Sequence, residues 1–507
     1  MPTNNEFRIV ELYRITIKSE KEKPIFFEPG INLIEGGPNT GKTTWLQCLN
    51  YLLGAENPIE HYFTDDFLDN YRAIEGKFIV NSKKLTIRRD WTISGQKSKI
   101  SYNGKIRYSD GFQLDLVEKF LQYPNLKYPK NDPVSAIRAT NLSFRMHFRH
   151  LYRQQKYWSD IVEKQPPGEF RACLLNFLGI AEKIYTDSFF KFHDLSDELN
   201  TANEVYKINK NKVDTVLSVI LDSFDPVTND DRIRTTYKSF LELKESDLNT
   251  THEKINGATL ENIIEKIRED GFGAVETAKL FDFFEDAANL YRRAGQTEER
   301  INILKRFESI ISDFENSYKN KNRLAEEITP YHDALRPNLN STEIESKLQT
   351  FCEEMDTYLD QLNILRPHTW KHHGRVNMVL YRNHIDVRIG GRSWNNILGG
   401  TDALYFFLSY QYALLAMSSN ATSRIPQIII VDLPPDLSGE TLTDSSFVIE
   451  PFYTLVKQEN YRNSQVIFAG HTFNSLRTKE RESLFSSDNI SSVIKTIEMD
   501  QEYLARN

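Results

Sequence analysis

Eight consecutive residues, Gly36-Gly37-Pro38-Asn39-Thr40-Gly41-Lys42-Thr43, satisfy G-x-x-x-x-G-K-[ST] at every fixed position. Their flanks constrain the fold more than any other part of the chain. The apolar run 31–34 reads as a buried strand leading in, and residues 44–53 carry apolar side chains at helical spacing leading out. A strand, a glycine-rich turn and a helix in that order make an α/β core. They also place backbone N–H groups and a helix N-terminus around an anion. In such a loop the lysine reaches the β- and γ-phosphates and the following hydroxyl holds Mg²⁺. The chain is therefore expected to bind a nucleoside triphosphate through Gly36, Gly37, Asn39, Thr40, Gly41, Lys42, Thr43 and Thr44.

At 507 residues the chain is too long for one ordinary core. Its first 130 residues read as strands at 7–17, 24–27, 31–34, 77–80, 85–91 and 100–108, with Asn103-Gly104 as a hairpin turn, an antiparallel sheet wrapped onto the P-loop. From about residue 181 the texture changes to long polar helices. Leu195, Leu199, Ala202, Tyr206, Asn209, Val213, Val216 and Ile220 follow the 4-3 spacing of a heptad seam, with Asn209 as a register-setting polar residue. A second seam runs through Leu304, Phe307, Ile311, Phe314 and Tyr318, with breaks between the two at Asp225-Pro226, Asn256-Gly257, Gly271-Phe272-Gly273 and Gly295. Strand texture returns at 376–381 and 384–389. The expected division is thus 1–180, a helical and partly coiled-coil insertion over 181–365, and 366–507.

Composition narrows the setting. A net charge of −8 argues against a wholesale nucleic-acid coat while leaving room for a local basic patch. Cys48, Cys173 and Cys352 are isolated, so neither a disulfide framework nor a zinc knuckle is encoded. The most apolar stretch, 404–417, is interrupted by Ser409 and Gln411 and is too short to cross a bilayer. With no basic-plus-apolar opening segment, a soluble cytoplasmic protein is expected.

The second decisive motif is Ile428-Ile429-Ile430-Val431-Asp432, four apolar residues of a central strand delivering a carboxylate. With the upstream P-loop it reads as a Walker B whose Asp432 enters the Mg²⁺ shell. A P-loop, a helical insertion, Leu398-Gly399-Gly400-Thr401-Asp402, the Walker B, and His471 after a strand: this order resembles the split ABC-type ATPase heads of the SMC, RecF and RecN group, which serve chromosome maintenance and DNA repair. The resemblance covers roughly residues 5–180 and 366–480. It implies that Gly36, Gly41, Lys42 and Thr43 form the Walker A and that Gln154 or Gln155 is the Q-loop ligand of Mg²⁺ and water. His471 would sense the γ-phosphate. Gly399, Gly400 and Asp402 would stand for the signature that meets a nucleotide held by a second head, although the usual serine is missing. Lys42, Asp432, His471 and Gln154 are the implied catalytic set, and Thr43, Asp432 and Gln154 the implied metal ligands. ATP and Mg²⁺ would then join two heads as a homodimer or a pair of related subunits. A departure qualifies turnover: the glutamate expected after the Walker B aspartate is Leu433, so hydrolysis should be slow.

Arg145, Arg149 and Arg153 recur at i, i+4 and i+8 among aromatic residues and, on one helix, would form a stripe for DNA phosphates. Lys371, His372 and His373 make a small basic knot without metal-ligand spacing. The leading functional expectation is a DNA-associated sensor or clamp subunit of a multi-protein complex. Compact heads of this sort resemble ATPase subunits of bacterial anti-phage systems, which act with a separate effector such as a nuclease. The competing expectation is a hydrolysis-deficient, ATP-dependent scaffold whose helical insertion recruits an effector.

Overall fold

The structure is a computed structural model. It describes residues 5–37, 39–55, 58–92, 99–129, 139–154, 158–223, 298–339, 342–381, 384–434, 446–470, 473, 475–476, 478 and 493–499. Two compact units are present, Met1–Thr186 with Pro337–Asn507, and Asp187–Arg336.

In the first unit, strands β1 (Phe7–Thr16), β2 (Ile25–Phe26) and β3 (Gly30–Glu35) open the chain, and β4 (Tyr71–Val80), β5 (Lys83–Asp90), β6 (Lys99–Tyr102) and β7 (Lys105–Tyr108) follow as a meander. Short strands β8 (Lys127–Pro129), β9 (Ala139–Asn141) and β10 (Tyr152–Arg153) precede the second unit. After it come β11 (Val376–Leu380), β12 (Ile385–Ile389), β13 (Arg392–Ser393), β14 (Ile428–Asp432), β15 (Gln465–Gly470) and β16 (Ile494–Glu498).

One sheet runs β10-β14-β15-β3-β16, and every pairing in it is parallel. Strands β3, β14 and β15 are buried along their whole length, the continuous apolar pattern of a sheet covered on both faces. The antiparallel sheet runs β2-β1-β4-β5-β6-β7. Its β6–β7 hairpin turns on Asn103 (φ 44°) and Gly104 (φ 79°), the two positive φ values a type I′ turn requires. Gln465 stitches the sheets together: its side chain accepts the Ile9 N–H at 2.9 Å and donates to the Ile9 and Glu28 carbonyls at 2.9 and 3.0 Å.

The helix Gly400–Met417 is buried at every residue from Ala403 onward, as a helix apolar all round must be. Packed beside it is the helix Thr342–Leu365, which buries Ile344, Leu348, Phe351, Met355, Tyr358 and Leu362 and sends the Tyr358 hydroxyl to the Val448 carbonyl at 2.9 Å. Residues 337–365, read from sequence as part of the insertion, therefore belong to the first unit. Their 4-3 spacing serves the head's own core.

In the second unit the helices Asp187–Ser223 and Glu298–Leu339 run antiparallel. Tyr206 lies against Phe314 and Tyr318, whereas Leu195 and Ala202 cluster with Leu324, Ile328 and Tyr331 further along. Leu195, Ala202, Asn209 and Val213 of the expected seam are buried, and Asn209 donates to the Asp313 carbonyl at 3.2 Å. The breaks at 225–226, 256–257, 271–273 and 295 lie outside the described residues, as do the side chains of Leu304, Phe307 and Ile311. Among the described residues no helix is long and apolar enough to cross a membrane.

Candidate nucleotide-binding site

Register brings the motifs together. Gly470 pairs with Glu35, Asp432 with Ala469, and Arg153 with Val431, so β3, β14, β15 and β10 all end at one edge. The chain leaves that edge as Gly36, Leu433 and Gln154, at the carboxyl ends of parallel strands where ligands of open α/β sheets bind.

The loop after β3 is shaped for a close-lying anion. A Cβ on Gly36 would lie 2.6 Å from Thr40 Oγ1 and 2.7 Å from the Met499 carbonyl oxygen, so only glycine fits without displacement. Gly41 adopts φ 85°, a left-handed value that turns the chain directly into the helix Lys42–Leu52. No acidic residue occupies the first turn of that helix, which leaves its N-terminal dipole available to phosphate. Lys42 Nζ donates to the Gly36 and Gly37 carbonyls at 2.6 and 2.7 Å and to Thr40 Oγ1 at 3.3 Å. Burial holds the lysine below its usual value, and the negative charge of Asp432 opposes that shift, so the two side chains share one electrostatic site. Thr43 and Thr44 stand half-buried at the mouth. This donor set, a narrow glycine cradle with one lysine, one buried carboxylate and two hydroxyls, fits a Mg²⁺-bound triphosphate.

Gln154 follows β10 beside the end of β14 and donates to Glu163 at 3.1 Å. Gln155 and His471 lie outside the described residues. Leu433 is 4% exposed and donates its backbone N–H to the Ala469 carbonyl at 3.0 Å. The position after the Walker B aspartate is therefore an apolar, packed one. Gly399 and Gly400 are exposed at the start of the helix Gly400–Met417, and among the described residues nothing lies within 4 Å of a Cβ at either. Asp402, in the first turn, meets His372 Nε2 at 3.2 Å.

The arginine stripe does not form. The helix Phe144–Leu151 ends before Arg153, which sits in β10. Arg153 is 4% exposed and donates to the Asp160 carbonyl at 2.7 Å and to the Ile161 carbonyl. Its guanidinium lies against both Trp158 and Phe407, 5.3 and 4.6 Å from the ring centres. Burial pulls it down to about 10. Arg145 binds Asn50 Oδ1, and Arg149 pairs with Glu169 at 3.2 Å. Arg145 and Arg149 share the helix Phe144–Leu151, but Arg153 is turned into the head's interior, so the three do not line one face.

Two features escaped the sequence reading. Strand β16 pairs with β3, and Met499 just after it donates to the Glu35 carbonyl at 2.8 Å, walling the P-loop. The tetrad Asn211-Lys212-Val213-Asp214 has the residue types of a guanine-specifying loop. It lies within the helix Asp187–Ser223, where it cannot form one.

A P-loop core on a parallel sheet, an antiparallel β subdomain and an interrupting helical unit together make the architecture of an ABC-type ATPase head. The chain resembles the heads of the SMC, RecF and RecN group. It is 22% identical over 201 residues to the DNA repair protein RecN of Aquifex aeolicus (strain VF5). That match covers 38% of this chain and 36% of the relative, so the chain spans about a third of the length of the curated relative it matches. Similar solved structures include the Smc head domain with a coiled coil and joint from Pyrococcus yayanosii, at TM-score 0.43, 14% identity and 92% coverage of both chains. Another is the Smc head from Pyrococcus furiosus bound to the C-terminal domain of ScpA, at TM-score 0.43 and 13% identity, covering 93% of this chain and 91% of that one. The recombination mediator RecF with ATP matches at TM-score 0.33 and 11% identity, covering 92% and 93%. No family model matches the chain. The fold assignment rests on the strand order and register described above.

Proposed function

We propose that this protein is an SMC/RecF-like ABC ATPase that binds ATP and Mg²⁺ between two heads and works as a DNA-associated sensor or clamp subunit of a multi-protein complex. The observation that carries this reading is the convergence of the Gly36–Thr43 loop, Asp432 and Gln154 on one sheet edge. In this reading the loop N–H groups and Lys42 hold the phosphates, and Lys42 exchanges its bonds to the Gly36 and Gly37 carbonyls for phosphate oxygens. Thr43, Asp432 and Gln154 hold Mg²⁺, which when bound neutralises phosphate charge. Gly399 and Gly400, exposed at a helix N-terminus, would in this reading meet the nucleotide of a facing head. An association with DNA and repair is supported by the resemblance to the DNA repair protein RecN; the arginines lend it no support, and a defence pathway with a separate effector is the further extension of the proposal.

The test is calorimetry and light scattering with a non-hydrolysable ATP analogue. Saturable Mg²⁺-dependent binding, lost in Lys42→Ala, with a doubling of mass in the wild type, is expected. Equal affinity in wild type and variant would overturn the site. Fluorescence anisotropy of labelled duplex DNA, with and without nucleotide, separates a DNA clamp from a DNA-independent head.

A second reading is favoured by Leu433. With an apolar residue packed where the water-polarising carboxylate is expected, ATP would act as a structural ligand and the helical unit as the working surface. Steady-state turnover separates the two.

A further inference from the structure

The contact between His372 and Asp402 joins two segments that the motif reading treats separately. Asp402 is the third residue of the helix Gly400–Met417 and the only acidic residue in its first turn. A carboxylate there is stabilised by the helix dipole. The same carboxylate stands where an incoming phosphate would have to approach, and like charges repel.

His372 answers that charge from the loop joining the helix Thr342–Leu365 to β11. Its Nε2 lies 3.2 Å from Asp402 Oδ2, and its ring packs on Trp370 at a centroid distance of 4.7 Å. Trp370 is itself fixed. Its N–H donates to Asn363 Oδ1 at 2.8 Å, its carbonyl accepts from Asn363 Nδ2 at 3.0 Å, and its ring stacks at 10° on Phe406 of the signature helix. Among the described residues, Lys371 and His373 stand beside it in the loop, and Arg366 lies over the Phe447 ring. Arg375 is committed to Asp360 at 2.8 Å. His372 is thus the imidazole that a braced tryptophan aims at the one carboxylate of this helix mouth.

We propose that His372 is a positioning residue for the signature: its Nε2 contact ties Asp402 back, so that the triphosphate held by a facing head can reach Gly399 and Gly400. This inference rests on the two-headed reading above. It makes Asp402 a charge to be answered, where the motif alone would make it a direct phosphate contact.

The experiment is the nucleotide-driven dimerisation of the full chain, measured by sedimentation equilibrium with a non-hydrolysable ATP analogue and Mg²⁺. A carboxylate left untethered several ångströms from a phosphate, at the dielectric of a partly exposed site, should weaken each contact by roughly tenfold, and more at low salt. His372→Ala is therefore expected to raise the dimer dissociation constant, while calorimetric ATP binding to the monomer stays at the wild-type value. Asp402→Asn should dimerise at least as well as the wild type, and His372→Ala/Asp402→Asn should recover what His372→Ala loses. That rescue is what a merely structural histidine would not give. Asp402→Asn weakening the dimer as much as His372→Ala, or a double variant no better than His372→Ala, would overturn the inference. A wild type that binds ATP without gaining mass would remove the two-headed reading and this inference with it. A wild type that dimerises and a His372→Ala protein that matches it would remove the inference alone.

Discussion

Gly36→Ala probes the nucleotide loop at the point where it touches the C-terminal strand. The added methyl carbon would lie 2.6 Å from Thr40 Oγ1, 2.7 Å from the Met499 carbonyl oxygen and 3.1 Å from Met499 Cβ. Thr40 can rotate away at the loss of its 3.0 Å bond to the Gly37 carbonyl. Met499 cannot: its N–H is bonded to the Glu35 carbonyl at 2.8 Å, and β16 is laddered to β3 along its length. Relief requires either β16 to shift outward by several tenths of an ångström or the loop to open. Overpacking of this kind costs roughly 1–3 kcal/mol. If the loop opens, that corresponds to roughly a 5- to 150-fold loss of ATP affinity; if β16 moves, it appears as lost stability. Calorimetric titration with ATP and Mg²⁺ and denaturant unfolding of the same samples capture both routes. Gly37→Ala is the control, since its methyl would meet only Thr40 Cγ2 at 4.0 Å. Wild-type affinity and stability in Gly36→Ala, or equal damage from Gly37→Ala, would refute the packing account of this loop.

Lys42→Ala should lower ATP affinity by roughly a hundredfold or more through loss of charge-assisted bonds, with an unchanged far-ultraviolet circular dichroism spectrum. Arg153→Ala should destabilise the head by roughly 2–4 kcal/mol in urea unfolding, because the Asp160 carbonyl and the buried Ile161 carbonyl lose a charged donor; an unchanged midpoint would place the arginine outside the core network. Steady-state ATPase assays should find turnover on the order of 10²- to 10⁴-fold below that of a head with a general base. Leu433→Glu should not restore it, since the new carboxylate enters a packed apolar position. Gly400→Arg should leave ATP binding by the monomer intact and abolish the nucleotide-driven gain in mass, read by light scattering.

How far the sequence carries depends on whether a residue's partners are near it in the chain. The P-loop, the Walker B strand and the Asn103-Gly104 hairpin were legible because strand, turn and helix propensities a few residues apart decide them. Met499 was not, because its place beside Gly36 depends on a parallel strand closing the sheet more than 450 residues later, and parallel pairing leaves no local turn signal. The helix Thr342–Leu365 shows a second kind of illegibility. Its 4-3 apolar spacing is the same whether the partner is an arm or the head, and only the three-dimensional arrangement shows that Tyr358 reaches Val448. The arginines show a third. Spacing of i, i+4 and i+8 implies one face only if the helix continues, and at Tyr152 the backbone instead pairs with Ile430 of β14. A guanidinium delivered there faces the carbonyls of a chain reversal at Asp160 and Ile161, with the Trp158 and Phe407 rings beside it. An arginine among aromatic residues is therefore ambiguous in sequence between a phosphate contact and a loop clamp. Here the Asp160 and Ile161 carbonyls decide it, because a charged donor held inside the fold by two backbone oxygens contributes more than a solvated phosphate contact returns.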